Sequence, residues 1–441
     1  MHVLVTGATG FIGSALVAAL RAEGHAVTAA GRSARGLPAG VVHVAADFAR
    51  DHDAADWLPR LRGVDAVVNA VGILRASATQ QFFPLHVQAP RALFAACAQA
   101  GVRRVLQISA LGADAQAATA YHRSKREADE FLLQLPLSAA VVQPSLVYGA
   151  GGASARLFNA LATLPLLPVP GRGLQPVQPI HLDDLVAALL ALLTREQWRV
   201  GRLILAGPQP LPLRAYLAAL REALGRGPAP VLPVPMPLVR AGARVAARVP
   251  GLPFDPDALS MLERGNTAPA AHAGDTAALL GHAPRPVGAF VPAALAPALA
   301  RDAQWTWLAP MLHLSLAAVW LVTAWVSLFV YPRAESLALL GRAGVPAALQ
   351  PLMLWGASLF DLLLGLATLT ALLLPARARR ALWWAQIALM GFYTAVISLR
   401  LPEFWAHPYG PLLKNLPILA VLLLLLQMEP RTGRSRTRRR R

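Results

Sequence analysis

One cysteine, Cys97, stands in 441 residues, which excludes an intrachain disulfide and a thiolate-built metal centre. It lies in the helix-like run PRALFAACAQAG, where a small, buried apolar role is expected. No metal site is expected. Lysine is nearly missing too: Lys125 and Lys414 are the only two among 41 basic residues. A lysine that persists against such an arginine skew marks a place where a planar guanidinium would not serve. Charged residues amount to only 15 % and hydrophobic ones reach 56 %, both outside the usual range of soluble chains.

Acids are scarce relative to bases, 23 against 41, leaving a net charge of +18. Such an excess can signal nucleic acid, but its distribution argues otherwise. Residues 1–300 carry 26 basic and 18 acidic side chains; residues 301–441 carry 15 and 5, with seven of the 15 in the terminal run RTGRSRTRRRR. Basic residues beside apolar spans are topology signals, so no nucleic-acid partner is expected. The opening MHVLVTG lacks the basic start and long apolar region of a secretory signal. The N-terminal domain is therefore expected in the cytoplasm.

What is present falls into two parts. Residues 1–300 read as an Ala-rich globular domain, and residues 305–428 as largely Leu, Ala, Val and Trp. In the first part HVLVT, HAVTAAG, VVHVAA, DAVVNAVG, RVLQISA and AAVVQPS are strand candidates, and helical stretches alternate with most of them. That alternation predicts an α/β fold, a doubly wound parallel sheet of the Rossmann type. From 149 to 300 the pattern loosens into Pro- and Gly-rich chain, with helices over Leu213–Leu224 and Met236–Ala247. This section predicts a small substrate lobe, partly built from chain that leaves the sheet and returns.

The sharpest local signal is TGATGFIG at residues 6–13. It follows a strand, opens a helix and precedes a second strand, the context of a dinucleotide-binding turn. Gly7 permits the tight turn, Gly10 lets the main chain approach a pyrophosphate, and Gly13 lets the helix pack closely. An acid at the end of the second strand would select NAD; in HAVTAAGRS that place falls near Gly31 with no acid nearby, and Arg32 follows, able to accept a 2′-phosphate. NADP(H) is thus favoured, with NAD(H) possible. Asp47, after the third strand, is placed to hydrogen-bond the adenine amino group. Tyr121 and Lys125 in YHRSK share a helix face. A cation there is expected to lower the phenol pKa, so that Tyr121 exchanges a proton with substrate while Ser109 orients its oxygen.

Taken with DAVVNAVG, QISA, PSLVYGAGG and PIHLDDLVAALL, these pieces resemble the short-chain dehydrogenases/reductases in their extended or atypical form. Within them the chain is most similar to the branch that includes the Rossmann accessory subunit of respiratory complex I. The resemblance covers residues 1–300. It implies catalysis by Ser109, Tyr121 and Lys125. It implies cofactor contacts from Thr6, Gly7, Gly10, Phe11, Ile12, Gly13, Arg32, Asp47, Asn69, Ala70, Lys125 and Pro144.

Four apolar spans follow, about Ala309–Val330, Met353–Leu374, Leu382–Leu399 and Leu412–Met428, each near the ~20 residues that cross a bilayer. An all-α four-helix transmembrane bundle is expected. With the first domain inside, PARARR and the Arg-rich tail 429–441 are inside too, as the positive-inside rule asks. Trp305, Trp307, Tyr331, Trp383, Trp384, Trp405 and Tyr409 would form an aromatic belt. HPYGPLLKN at 407–415, Tyr331–Pro332 and Asp361 resemble the DoxX-like membrane domains. Asp361 should face the bundle interior and have a partner, with His407 and Lys414 as candidates.

The expectation is a membrane-anchored, NADPH-linked oxidoreductase at the inner face of a bacterial cytoplasmic membrane, acting on a hydrophobic carbonyl or quinone-like substrate. Two alternatives stay open. One is a non-catalytic nucleotide-binding subunit or assembly factor of a membrane redox complex. The other is an NAD-dependent sugar-nucleotide epimerase or dehydratase.

Overall fold

The computed structural model describes residues 1–77, 80–196, 198, 200–248, 254–408 and 410–429. The expected Tyr409 belt residue and the tail from Pro430 lie outside these. Two compact units divide at Ala303/Gln304.

In the first unit, strands β1 (His2–Thr6), β2 (Ala26–Gly31), β3 (Val42–Ala45), β4 (Ala66–Asn69), β5 (Arg104–Ile108), β6 (Ala139–Pro144) and β7 (Gly201–Leu205) form one sheet. Its order is β7-β6-β5-β4-β1-β2-β3, and every neighbouring pair is parallel. The strands are Val-, Ala- and Leu-rich because both faces are covered. Val3 and Val5 face one core with Leu16, Val17 and Leu20 of helix α1 (Phe11–Ala22) and Leu185 and Leu189 of a helix over Leu182–Thr194. Leu4 faces the other core, with Phe94 and Cys97 of helix α2 (Ala89–Ala100) and Ala128 and Leu132 of helix α3 (Ala120–Gln134). Cys97 is fully buried and its thiol is pushed up to about 12 by burial, which suits the packing role expected of it.

The seventh strand was not among the sequence candidates. It belongs to residues 149–300, and with the helix Leu182–Thr194 it returns to the sheet layer. The rest of that section builds the smaller lobe around Tyr148, Tyr216 and Phe290, with its helices over Leu213–Ala223 and Met236–Ala246.

The second unit is helical. Among the described residues, three helices are long and apolar enough to cross a membrane: Ala296–Val330, Ala347–Leu369 and Ala376–Arg400. The fourth expected span is a helix of only 14 residues, Asn415–Met428. A further helix, Arg333–Arg342, occupies the connection between the first two spans. Polar groups clasp the bundle: Trp320 Nε1 donates to Gln386 Oε1 (2.7 Å), and Gln386 Nε2 donates to Thr368 Oγ1 (2.8 Å). Trp383 is not a belt residue. It is fully buried, stacks on His313 at 5.2 Å and donates to Glu429. Asp361 faces inward as expected, 5 % exposed. Its Oδ1 accepts no hydrogen bond from His407, Lys414 or any other described group.

Candidate active site

The C-terminal edge of the sheet carries the site, at the point where strand order reverses around β1, the usual place for a ligand in such sheets. Gly7 has φ +67 and a Cβ there would lie 2.6 Å from the Ala70 carbonyl oxygen, so the turn after β1 closes against the end of β4. Gly10 N–H donates to the Gly7 carbonyl (2.9 Å), and Gly10 then starts α1 from extended backbone. A Cβ on Gly13 would fall 2.2 Å from the Gly7 oxygen. The close approach that requires glycine there is therefore to the turn itself. Phe11 reaches the PSLVYGAGG loop, where a Cβ on Gly152 would meet its ring at 3.0 Å. Ile12 is half-buried beside it.

Thr6 and Asn69 end β1 and β4 with fully buried side chains. Thr6 Oγ1 donates to Asn69 Oδ1 (2.6 Å), and Asn69 Nδ2 donates to Gln107 Oε1 (2.7 Å). These polar groups are consumed across three strands, so any cofactor contact from Thr6 or Asn69 belongs to their main chain. Ala70 directly follows β4, and Pro144 ends β6 on the same edge. Arg32 follows β2, is exposed, and has no ion-pair partner among the described residues. Asp47 follows β3; its carboxylate accepts from Ala49 N–H (3.0 Å).

Tyr121 and Lys125 lie one turn apart near the start of α3, whose N-cap is Thr119: its hydroxyl accepts from His122 N–H (3.2 Å). Lys125 is 4 % exposed and its Nζ donates to the carbonyls of Val71 (3.0 Å) and Ile108 (3.1 Å). The ammonium thus ties together the chain just beyond β4 and the last residue of β5. Burial holds Lys125 down to about 8, opposed by Asp129. The phenol of Tyr121 is pushed up to about 12 by burial and by the Asp129 carboxylate. This corrects the expectation that Lys125 would make it acidic: the cation is spent on main-chain carbonyls, and the carboxylate four residues on acts the other way.

Ser109 follows β5 and donates to Asp129 Oδ2 at 2.5 Å. Asp129 is fully buried, and burial raises it to about 6 against the pull of Ser109, Lys125 and Gln143. The sequence reading missed Asp129, although its four-residue spacing from Lys125 was visible. It also missed His86. That ring is 1 % exposed; Ile73 N–H donates to Nε2 (3.0 Å), which fixes the proton on Nδ1 facing Ser124 Oγ (2.9 Å). Burial and Lys125 hold His86 down to about 2, so it is a neutral pin between α3 and the chain after β4. Nothing local in the sequence marked it. The rings of Phe82, His86 and His122 stand 6.2, 5.7 and 5.3 Å from that of Tyr121.

Comparison with known proteins finds relatives for both parts of the chain. Residues 3–207 match the NAD dependent epimerase/dehydratase family and residues 317–423 the DoxX-like family. The chain is 32 % identical over 262 residues to a 3-diazoavenalumate denitrifying reductase of Streptomyces sp, covering 53 % of this chain and 84 % of that one. It is 31 % identical over 197 residues to a ceramide reductase of Caulobacter vibrioides, covering 43 % of this chain and 60 % of the relative's length. It is 26 % identical over 256 residues to mitochondrial NADH dehydrogenase [ubiquinone] 1 alpha subcomplex subunit 9 of Arabidopsis thaliana, covering 54 % and 61 %. The chain belongs to the NAD dependent epimerase/dehydratase family of short-chain dehydrogenases/reductases, with an NAD(P)-binding Rossmann domain followed by a DoxX-like domain.

Proposed function

We propose that the protein is a membrane-anchored reductase that uses NADP(H), in preference to NAD(H), on a hydrophobic carbonyl or quinone-like substrate. The observation that carries this reading is the gathering of Ser109, Tyr121 and Lys125 around the ends of β4 and β5, on the sheet edge that also carries the Gly7–Gly13 turn. The turn suits a dinucleotide. Helix α1 has no side-chain cap and no acid in its first turn, so its free N–H groups and positive dipole end are open to a diphosphate. Arg32 is placed for a 2′-phosphate.

When bound, the nicotinamide carries the hydride. Tyr121 keeps its proton at neutral pH and, with its phenol pushed up to about 12, gives it up only to a more basic oxygen, such as the alkoxide that hydride transfer to a carbonyl creates. That state suits reduction. Lys125 uses two of its three donors on Val71 and Ile108, which leaves one for a ribose hydroxyl. Phe82 beside Tyr121, and the exposed Leu74 and Phe83 (55 % and 53 %), favour an apolar substrate. Two relatives carry the name reductase, and one is named for ceramide, a lipid.

A second reading, a nucleotide-binding subunit without turnover, has one observation in its favour. The single Ser109 proton is given to Asp129, so Ser109 has none to offer a substrate while Asp129 is ionised. The test is NADPH and NADH titration of the detergent-purified protein, then a panel of carbonyl compounds and quinones. Consumption of NADPH supports the reductase. Tight binding without consumption supports the subunit, and bound NAD that never exchanges supports an epimerase or dehydratase.

A further inference from the structure

The lobe helix Met236–Ala246 presents three distinct stripes. Val239, Ala243 and Ala246 are buried, the first two packed with Leu259 and Phe254. Leu238, Ala241, Gly242 and Val245 follow i, i+3, i+4, i+7 spacing and so share another face. All four are exposed, Leu238 to 63 % and Val245 to 62 %. Arg240, Arg244 and Arg248 repeat every four residues along the border of that apolar face and are exposed as well. Arg240 pairs with Glu263 at 3.0 Å, an exposed contact of small energetic weight. Arg248 donates to the Arg244 carbonyl at 3.3 Å.

The chain leading into this helix continues the pattern. Val231 and Leu232 are 43 % and 46 % exposed. A surface groove of about 440 Å³ is lined by Arg172, Leu174, Arg214, Val231 and Pro233. From Arg214 to Arg248 there are six arginines and one acid, Glu222. An exposed apolar stripe rimmed by arginine is the pattern of a helix lying in a membrane interface. The excess of arginine over acid in this stretch complements a surface of anionic phosphates. The same chain carries three helices long and apolar enough to cross a bilayer, so a lipid surface is always at hand.

We propose that this face of the lobe docks on an anionic bilayer surface. Leu238 and Val245 enter the headgroup–acyl boundary, and Arg240, Arg244 and Arg248 meet lipid phosphates. The inference stands apart from the reductase reading, since it uses no residue of the nucleotide site. Cys97 is buried, so Leu238→Cys in the full-length protein gives one accessible thiol for a polarity-sensitive fluorophore. The labelled protein is placed in nanodiscs of phosphatidylcholine with or without phosphatidylglycerol, some carrying nitroxide-labelled acyl chains. The expected result is blue-shifted emission and nitroxide quenching in the phosphatidylglycerol discs, both reversed by high salt, which shortens the screening length to roughly 3 Å at 1 M.

Each arginine near an anionic leaflet shifts such an equilibrium roughly fivefold. The triple change Arg240→Gln, Arg244→Gln, Arg248→Gln is therefore expected to weaken docking by on the order of 10²-fold, and the triple change to Lys to preserve it. All three side chains are exposed, and an unchanged circular dichroism melt verifies that the variants fold. Aqueous emission in both kinds of disc overturns the proposal. Equal quenching in both overturns the anionic-surface assignment. Blue-shifted emission that escapes the nitroxide and grows with protein concentration assigns the stripe to a second copy of the chain and overturns it too.

Discussion

At the scale of single residues, the site separates groups that face the cofactor and substrate from groups that hold them in place. On the proposed reading Arg32, exposed just after β2, belongs to the first kind. Arg32→Ala is expected to weaken NADPH binding roughly tenfold or more while leaving NADH binding nearly unchanged, the loss of a charge-assisted contact. Fluorescence titration of both cofactors measures it, and equal losses for the two would remove Arg32 from the 2′-phosphate. Tyr121→Phe keeps the ring among Phe82, His86 and His122 but removes the proton. Retained cofactor affinity with turnover reduced roughly 10²-fold or more is expected. Wild-type turnover in that variant would place the acid elsewhere. Asp129 belongs to the second kind, and its carboxyl is raised from 3.8 to about 6. A carboxyl raised in the folded state binds its proton more tightly there than in the unfolded chain. Its share of stability is whole below about pH 4 and is lost as pH climbs through about 6. Asp129→Asn is never ionised, so its stability relative to wild type should rise across that window, by at most roughly 3 kcal/mol. Thermal unfolding of both proteins across a pH series checks this; a constant difference would mean that Asp129 is not raised.

At the scale of elements, the glycine turn and the strand ends show what could be read in advance and what could not. Gly7, Gly10 and Gly13 were legible because a strand–turn–helix at that spacing has few other uses. Their separate duties were not, since those depend on distances across the turn. Gly13→Ala puts a Cβ 2.2 Å from a main-chain oxygen, so it should destabilise the first unit by about 1–3 kcal/mol and weaken cofactor binding with it. A Cβ on Gly10 meets only the Gly7 oxygen, at 3.1 Å. Gly10→Val should therefore leave the melt nearly intact and abolish cofactor binding by filling the space beside the phosphates. Equal melting losses in the two variants would contradict this division. Six of the seven strands were legible as apolar runs, most of them alternating with helices. The seventh, GRLIL, was hidden in chain whose Pro and Gly content speaks of loops; only its pairing with β6 reveals it. The Tyr–Lys spacing was legible too, but the sign of its electrostatics was not. Asp129 and the two carbonyls that take up Lys125 are brought together by the fold.

At the scale of the whole molecule, the number of crossings decides where the ends of the chain lie. Three helices meet the length needed to cross, and the fourth has 14 residues. At ~1.5 Å per residue that helix spans about 21 Å, against a hydrocarbon core of about 30 Å. Length alone would leave it short. Two observations oppose that outcome. Lys414 N–H donates to the Gly410 carbonyl (3.2 Å) and Asn415 N–H to that of Leu412 (3.1 Å), so bonded turns lengthen the helix toward its N-terminal end. The stretch from Arg431 onward also holds seven arginines; with the first domain proposed to be cytoplasmic, an odd number of crossings would put them outside, against the positive-inside rule. A short span is accommodated by local thinning at a cost of fractions of a kcal/mol per Å. Carrying seven guanidinium groups across a membrane costs far more. Four crossings are therefore expected, with both ends in the cytoplasm and Pro402–Pro411 outside. Phosphatase and fluorescent-protein fusions placed after Arg431 and within 402–411 read the two sides directly. A C-terminal fusion active as phosphatase would show that the fourth helix does not cross, and that the arginine tail has a partner outside strong enough to override its charge.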